Sequence, residues 1–541
     1  MARVDALPER TKDVLQTCSV IEREFDYKLI NLVAGFPEPE MLSCLSALKD
    51  AELLYERGIY PESIFIFKHA LTREVVYDSI LANRKRRLHG RVGNAIEEMY
   101  QDQIGNFYEV LVGHFIASEN YEKAARYSKL AAKKAEKKAS LNAAIVYARK
   151  RVDAIDRLPQ DEDRTSDIIE ARVVLALYYS QMNYFVEAKE AVDPILDLSA
   201  QHGNLKMLAQ IYGTLGAYYY WVDEDFSEAF DHLQKALTIS EKIGNVLSVF
   251  FANFWLGMGL SLTGEFQKSH HHLEKALQIN VQANSLWGES LCLSAISFFV
   301  HFYRGDVVQG FRTSEEALNK AEDSGDIFSK AAAYTYHGIS CYSKGLMDKA
   351  ESFLLKGSEL CERIKFFSVH ALAENLLARV YMQTGEFQKS EMHHDKEITI
   401  FENYNIMSSW KILAIMSRSR LSVSTVMDSY HKDILFDFLN RNRVKIFEGI
   451  LTRYLGEFLL NSGSRYYIEA EKCLSKAIEL DKRFDMNFYL AKDHAAYALL
   501  HKNMGKLQAA RENFEKSIDI FKQCGADGWV ERYEKELAAL Q

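Results

Sequence analysis

At 541 residues the chain exceeds the roughly 250–300 at which a single hydrophobic core stops growing, so it forms several domains or a repeat array. Apolar content of 48% is ordinary for a folded soluble protein, and a net charge of −9 over this length predicts no general affinity for nucleic acid. The seven cysteines (Cys18, Cys44, Cys292, Cys341, Cys361, Cys473, Cys524) are scattered, with no CxxC pair, zinc spacing or disulfide framework, which fits a reducing cytoplasmic setting. No apolar run approaches the roughly 18 residues of a membrane span, and "MARVDALPERTK" lacks the apolar core of a signal peptide.

In chain order, "ALPERTKDVLQTCSVI", "DYKLINLVAG" and "EPEMLSCLSALKDAELL" read as three helices. "LLYERGIYPESIFIFK" alternates around a Gly/Pro turn as a β-hairpin. "FKHALTREVVYDSIL" leaves that hairpin, places His69 at the junction and continues as an amphipathic helix; the plainest role for the imidazole is to satisfy a backbone group at the turn. "ANRKRRLHGRVGNAIEEMY" closes the segment as a further helix. Three helices followed by a two-stranded wing is the winged-helix pattern over residues 1–104. The basic run Arg84 to Arg87 raises DNA binding as an option, but the helix before the wing carries Glu38, Glu40, Asp50 and Glu52 against Lys49 alone, the wrong sign for meeting phosphates. Residues 105–160 read as irregular helical repeats or a connector. Within them Lys123 to Ala139 carry seven Lys/Arg against one Glu, as a solvated helix face would.

All six prolines lie at or before Pro194, and the remainder is rich in Ala, Leu, Glu, Lys and aromatics, so residues 161–541 read as nearly all helix. A small residue early in every second helix marks a repeat: Ala188, Ala229, Ser269, Gly310, Ala350, Ser390, Ala470 and Ala510, at separations of 41, 40, 41, 40, 40, 80 and 40. A degenerate unit around Tyr430 fills the double interval. Seven residues after every marker but Ser390 a second small or apolar residue recurs (Ile195, Ala236, Ala276, Ala317, Gly357, Ala477, Ser517), which lets the two helices of a hairpin approach closely. Gly264, Gly305, Gly345, Gly385 and Gly505 stand between the helices, where a positive φ ends the first one.

The order Leu-Gly-x-x-Tyr/Leu, Gly, then Ala-x-x-x-Leu/Phe-x-x-Ala resembles the tetratricopeptide repeat, although the period is about 40 rather than 34 and the closing proline is absent. The resemblance implies a right-handed α-solenoid of helical hairpins whose concave face binds a protein or peptide. Projecting the first helices places Tyr220, Trp221, Phe251, Phe254, Phe299, Phe302, Tyr303 and Tyr342 on or near that face, with Arg379 further along. Two readings stay open: these aromatics grip a ligand, or they pack between adjacent hairpins.

A second resemblance covers residues 3–100. "RVDALPERTKDVLQTCSVIEREFDYKLINLVAG", "CLSALKDAELLYERG" and "FIFKHALTREVVYDSILANRKRRLHGRVGNAIE" are similar to the winged-helix segment behind the NTPase core of bacterial STAND ATPases, especially those fused to class III adenylate/guanylate cyclases and followed by tetratricopeptide repeats. The resemblance implies ATP or ADP in a parent NTPase domain, a resting state with the winged helix folded over the nucleotide, and a contact from His69 to the diphosphate; Ala70 replaces the acidic residue that often follows. This chain has no G-x-x-x-x-G-K-[ST], no Walker-B run and no cyclase metal motif, so it reads as the C-terminal regulatory part of a larger protein or as a separately encoded remnant.

Other constellations carry less. His270, His271 and His272 are consecutive on a helix and point roughly 100° apart, so they cannot converge on one metal, and no Ser, Cys or His sits in a nucleophile elbow. The expectation is a non-catalytic chain that binds a partner through its repeats and relays it to an NTPase or cyclase module, without contacting nucleic acid or membrane. The alternatives are part of an adenylate/guanylate cyclase with its catalytic domain upstream, and a transcriptional regulator of the maltose-activator type.

Overall fold

The computed structural model describes residues 4, 6–138, 140–159, 164–404, 406–421 and 429–540. The chain divides into two compact units, Met1–Tyr178 and Tyr179–Gln541.

The first unit begins with α1 (Glu9–Ile21), β1 (Glu24–Asp26), α2 (Tyr27–Ala34), α3 (Glu38–Asp50), β2 (Leu54–Arg57), β3 (Ile64–Phe67), α4 (Ala70–Asp78) and α5 (Ala82–Met99). Asp26 caps α2 by accepting from Leu29 N at 2.6 Å, and Gly35 ends it in the left-handed conformation. The expected hairpin is present as β2–β3, but the sheet has three strands in the order β1-β3-β2, all antiparallel. The added strand is three residues long with only Phe25 buried, its ring 6.2 Å from Phe65, so it offered no alternation to read. The basic run at the start of α5 meets carboxylates: Arg84 pairs with Asp13 at 2.7 Å, Lys85 lies 3.8 Å from Asp78, and Arg86 pairs with Glu119. Helices Tyr108–Ala117, Tyr121–Lys137 and Leu141–Asp156 follow, and the lysine-rich face of the second engages Glu97, Glu109 and Glu170.

The second unit is an array of helical hairpins, the α-solenoid architecture expected. Each repeat-marking residue from Ala188 to Ala510 is buried, as is each of the second set from Ile195 to Ser517. The long period comes from long helices: Phe266–Gln282, Met347–Ile364 and Leu507–Cys524 run 17, 18 and 18 residues. The double interval holds helices Ser408–Ser419 and Ser429–Arg441, with residues 422–428 and the side chain of Tyr430 outside the described residues. The five predicted turn glycines all have φ between +73° and +84°. The recurrent Leu-Gly pair has a packing cause, since a Cβ on Gly216, Gly257, Gly338 or Gly456 would meet a leucine of the paired helix at 2.6–2.8 Å.

The array also curls onto itself. Met407 N donates to Trp221 O at 2.8 Å, and Trp529 Nε1 donates to Tyr342 O at 2.9 Å across 187 residues. Ser408 and Ser409 donate to the buried Glu224 carboxylate across 184 and 185 residues. At about 40 residues per hairpin, inner helices therefore meet those between four and five hairpins later. Gly345 is needed at this seam twice over, for its φ of +84° and because a Cβ would lie 2.7 Å from Gly528 Cα.

Gly257→Ala is expected to destabilise the protein by about 1–3 kcal/mol through overpacking against Leu273 and the Ser269 carbonyl. Gly213→Ala, on a neighbouring helix with nothing within 4 Å of its Cβ, is expected to be neutral or to stabilise by about 0.5–1 kcal/mol. Urea denaturation of both variants checks this; equal midpoints would remove the packing account of the Leu-Gly pair.

Candidate functional site

The seam between inner helices decides the fate of the predicted aromatic stripe. Tyr220, Trp221, Phe299, Phe302, Tyr303 and Tyr342 are all buried in one continuous core of the second unit. Trp221 is sandwiched by Phe185 at 5.9 Å and Trp255 at 5.6 Å. Phe302 meets Phe488 and Tyr489 at 6.0 and 5.7 Å, Tyr303 stacks on Tyr489 at 6.1 Å, and Tyr342 meets Trp529 at 5.4 Å. Except for Tyr342, which borders a cavity, these residues cannot present rings to a partner without opening the core. Phe254 is half-buried against Phe250 and Trp255, and Phe251 alone is well exposed, at 42%. The stripe is thus one packed seam rather than one open groove.

Further along the same seam the packing opens into a cavity of about 260 Å³, bounded by helices Phe367–Thr384, Phe447–Asn461, Asn487–Asn503 and Asp527–Ala538 together with Arg420. Two of the sequence-predicted residues, Tyr342 and Arg379, line it. Its inner wall carries Arg379, Arg420, Arg453, Tyr454, Tyr489, Lys492 and Trp529, and its rim the exposed Phe387, Asn461, Leu499 and Arg532.

Five cations line the cavity against two carboxylates, Glu457 and Glu536. Arg420 donates to Glu457 Oε2 at 2.7 Å and lies 3.8 Å from the Tyr454 ring centre. Arg453, 2% exposed, donates to Asp493 Oδ1 at 2.9 Å and reaches Glu457 at 3.3 Å. Burial pushes the Glu457 carboxyl up, but Arg420 and Arg453 together outweigh it and leave it below its ordinary value. Behind Arg453, burial and then the neighbouring Asp493 push Asp481 well above the usual carboxylate range, so Asp493 is the carboxylate that faces the guanidinium. Lys492 stands in an aromatic cage, its Nζ donating to Tyr342 Oη at 2.6 Å and lying 4.0 Å from the Trp529 ring centre. Burial first, then Arg453, Arg379 and Arg420, push its pKa well down. Arginines, Lys492 and aromatic rings dominate the lining, which gives the cavity an excess of basic over acidic side chains.

Arg420, Arg453, Lys492 and Trp529 escaped the sequence reading because they come from different segments of the repeat array, which no single repeat motif places together. A signal was present in "LTRYLGEFLL" and "NFYLAKDHAAYALL", where a cation interrupts an apolar inner-helix run; buried Arg and Lys are rare without a specific partner. The clustered histidines have structural partners: His393 lies 2.5 Å from Glu374 and His394 3.2 Å from Glu397. Among the described residues no group of three His, Cys, Asp or Glu is placed to hold a metal, and no helix is long and apolar enough to cross a membrane.

In the first unit His69 sits exposed at the N-terminal cap of α4. Its carbonyl accepts from Thr72 N at 3.0 Å, but its imidazole makes no capping bond, contrary to the plain expectation of a turn-satisfying side chain.

The architecture defines a helical-repeat protein with a cationic, aromatic cavity in its repeat unit. The tetratricopeptide repeat family model matches residues 494–524, the helical hairpin that contributes Ala496 and Leu499 to the cavity. No curated protein matches the chain. Among solved structures it is similar to a STAND protein with a tetratricopeptide repeat sensor from Pyrococcus horikoshii, at 17% identity and a TM-score of 0.44, covering 89% of this chain and 66% of that one. It is also similar to a Rap protein complexed with competence and sporulation factor, at 14% identity and a TM-score of 0.45, covering 71% and 99%. A third likeness is to the Rap conjugation gene regulator of plasmid pLS20 in complex with the Phr* peptide, at 12% identity and a TM-score of 0.46, covering 70% and 95%. This chain spans just under two thirds of the Pyrococcus protein's length.

Asp493→Ala is expected to cost about 3–5 kcal/mol, because it leaves Arg453 buried without its main counter-charge. A shift in urea midpoint equivalent to less than about 1 kcal/mol would show that this pair is not what holds the cavity wall.

Proposed function

We propose that the chain is a non-catalytic sensing and interaction region whose repeats bind a partner or ligand and whose first unit relays that occupancy to a nucleotide-dependent signalling module. The observation that carries this reading is the cavity itself, a charged and aromatic surface to which the hairpin matched by the tetratricopeptide family model contributes Ala496 and Leu499. The order α1-β1-α2-α3-β2-β3 supports a winged helix in the first unit, within a boundary at residues 1–104, followed by a connector to residue 160 and the repeats beyond. An unengaged imidazole at a helix N-terminus, where N–H groups favour anions, supports His69 as a contact to the diphosphate of ATP or ADP held by an NTPase domain. Cyclase output through such a module is the finer form of the proposal. The relay requires only that the partner bind two arrangements of the chain with different affinity.

Capture of proteins by the full chain tests the interaction half. A rim variant, Phe387→Ser with Arg532→Glu, is expected to lose specific partners that wild type retains, while a control with Val246→Ser and Leu247→Ser, exposed residues on another helix, keeps them. Identical capture by wild type, rim variant and control would overturn the reading.

A further inference from the structure

Among the described residues, Arg379 is the one arginine of the inner cavity wall that forms no ion pair. Arg379 is only 6% exposed, in the C-terminal half of helix Phe367–Thr384, most of whose residues are buried. Among the described residues its one hydrogen bond is from Nη1 to Tyr489 Oη at 3.2 Å, and its Nε is buried without a partner. Arg420 and Arg453 on the same wall, by contrast, each have a carboxylate. On the paired helix the Glu397 carboxylate accepts from Asn375 Nδ2 at 2.9 and 3.0 Å and lies 3.2 Å from His394 Nδ1, and among the described residues it forms no ion pair with Arg379. Leaving a guanidinium desolvated and unpaired is strongly unfavourable.

The surroundings add to its field rather than offset it. Burial alone favours the neutral phenol of Tyr454, yet Arg379, Arg420 and Arg453 outweigh it and hold that phenol below its ordinary value. Lys492 lines the same cavity with one Nζ donor committed to Tyr342. A cavity of about 260 Å³ lies at the small end of ligand sites and suits a small organic anion.

We infer that the cavity is a binding site for a small oxyanion, a carboxylate or phosphate group, received by the free N–H edge of Arg379 with Lys492 as second donor. A guanidinium offers a planar fork that matches either group, and charge-assisted bonds in a half-closed site are the strong ones. The ligand is thereby given a chemical class, and the inference rests on the repeats being the binding half of the molecule.

The full chain would be titrated with inorganic phosphate and, separately, with succinate, at millimolar concentrations, by calorimetry and by thermal unfolding. At least one anion is expected to bind and raise Tm, and Arg379→Met is expected to raise its Kd at least tenfold while leaving the unliganded Tm equal or higher. A response to phosphate alone assigns a phosphate-bearing ligand, and a response to succinate alone assigns a carboxylate. Where Arg379→Met does not fold, Lys492→Met in the same titration is expected to weaken binding likewise. No binding of either anion, or an unchanged Kd in the folded variant, overturns the site. Failure here with partner capture still sensitive to the rim would leave the interaction reading standing; anion binding with indifferent capture would do the reverse.

Discussion

The repeat unit depends on helices packing against helices between four and five hairpins away. Neighbouring hairpins alone account for the small residues at the 40-residue markers, but they do not account for Met407 N bonding Trp221 O, or Trp529 Nε1 bonding Tyr342 O. These contacts turn the inner face from a solvent-facing surface into a seam. A solenoid whose hairpins touch only their neighbours is quasi-one-dimensional, and its stability is a sum of local terms. Here the non-local contacts couple early and late hairpins, so a change at Glu224 is felt at Ser409, 185 residues away. Glu224 illustrates the cost of that coupling: burial raises its pKa, and it is retained because the Ser408 hydroxyl and the Ser409 hydroxyl and backbone N–H satisfy it.

The cavity follows from the same seam. Where inner positions carry aromatic side chains, as at Phe302 and Tyr342, rings from the returning helices fill the space. On the next inner helix Arg379 and Gln383 stand in the cavity wall; Arg532 donates to the Gln383 carbonyl at 3.1 Å and bridges the rim. A long cation on one side and Tyr489, Trp529 and Tyr533 on the other do not interdigitate as rings do, so the space between them stays open. Glu374 and Asn375 on the same helix have partners within the protein, Ser358 with His393 for the first and Glu397 for the Asn375 Nδ2, whereas Arg379 has only the Tyr489 hydroxyl among the described residues.

Local features were legible in the sequence because they repeat locally. The markers and turn glycines recur at a fixed interval, and each acts within a few residues of itself. The three-helix, hairpin, helix order of the first unit was legible for the same reason, while β1 was too short to show a period. The curl was not legible, since it depends on small rotations between hairpins that no single motif encodes. That is why the aromatics could be assigned to an inner face but not to its occupant, and why Arg379 and Tyr342 were the only members of the cavity singled out. Arg453 and Lys492 become meaningful only when helices Phe447–Asn461 and Asn487–Asn503 are known to face Phe367–Thr384.

An unbalanced cation at such a seam has a consequence for relay. Arg379 bonds Tyr489, on a helix 110 residues later, and Tyr342 and Trp529 of the same cavity are bonded across 187 residues, so an occupant of the cavity touches both sides of a non-local contact. Ligand contacts made within one hairpin would stabilise that hairpin wherever it sat. Contacts shared across the seam exist only in the curled arrangement, and they vanish if the turns separate. Binding there discriminates between arrangements of the array by the whole of the shared contact energy, which is the differential affinity that a conformational signal requires.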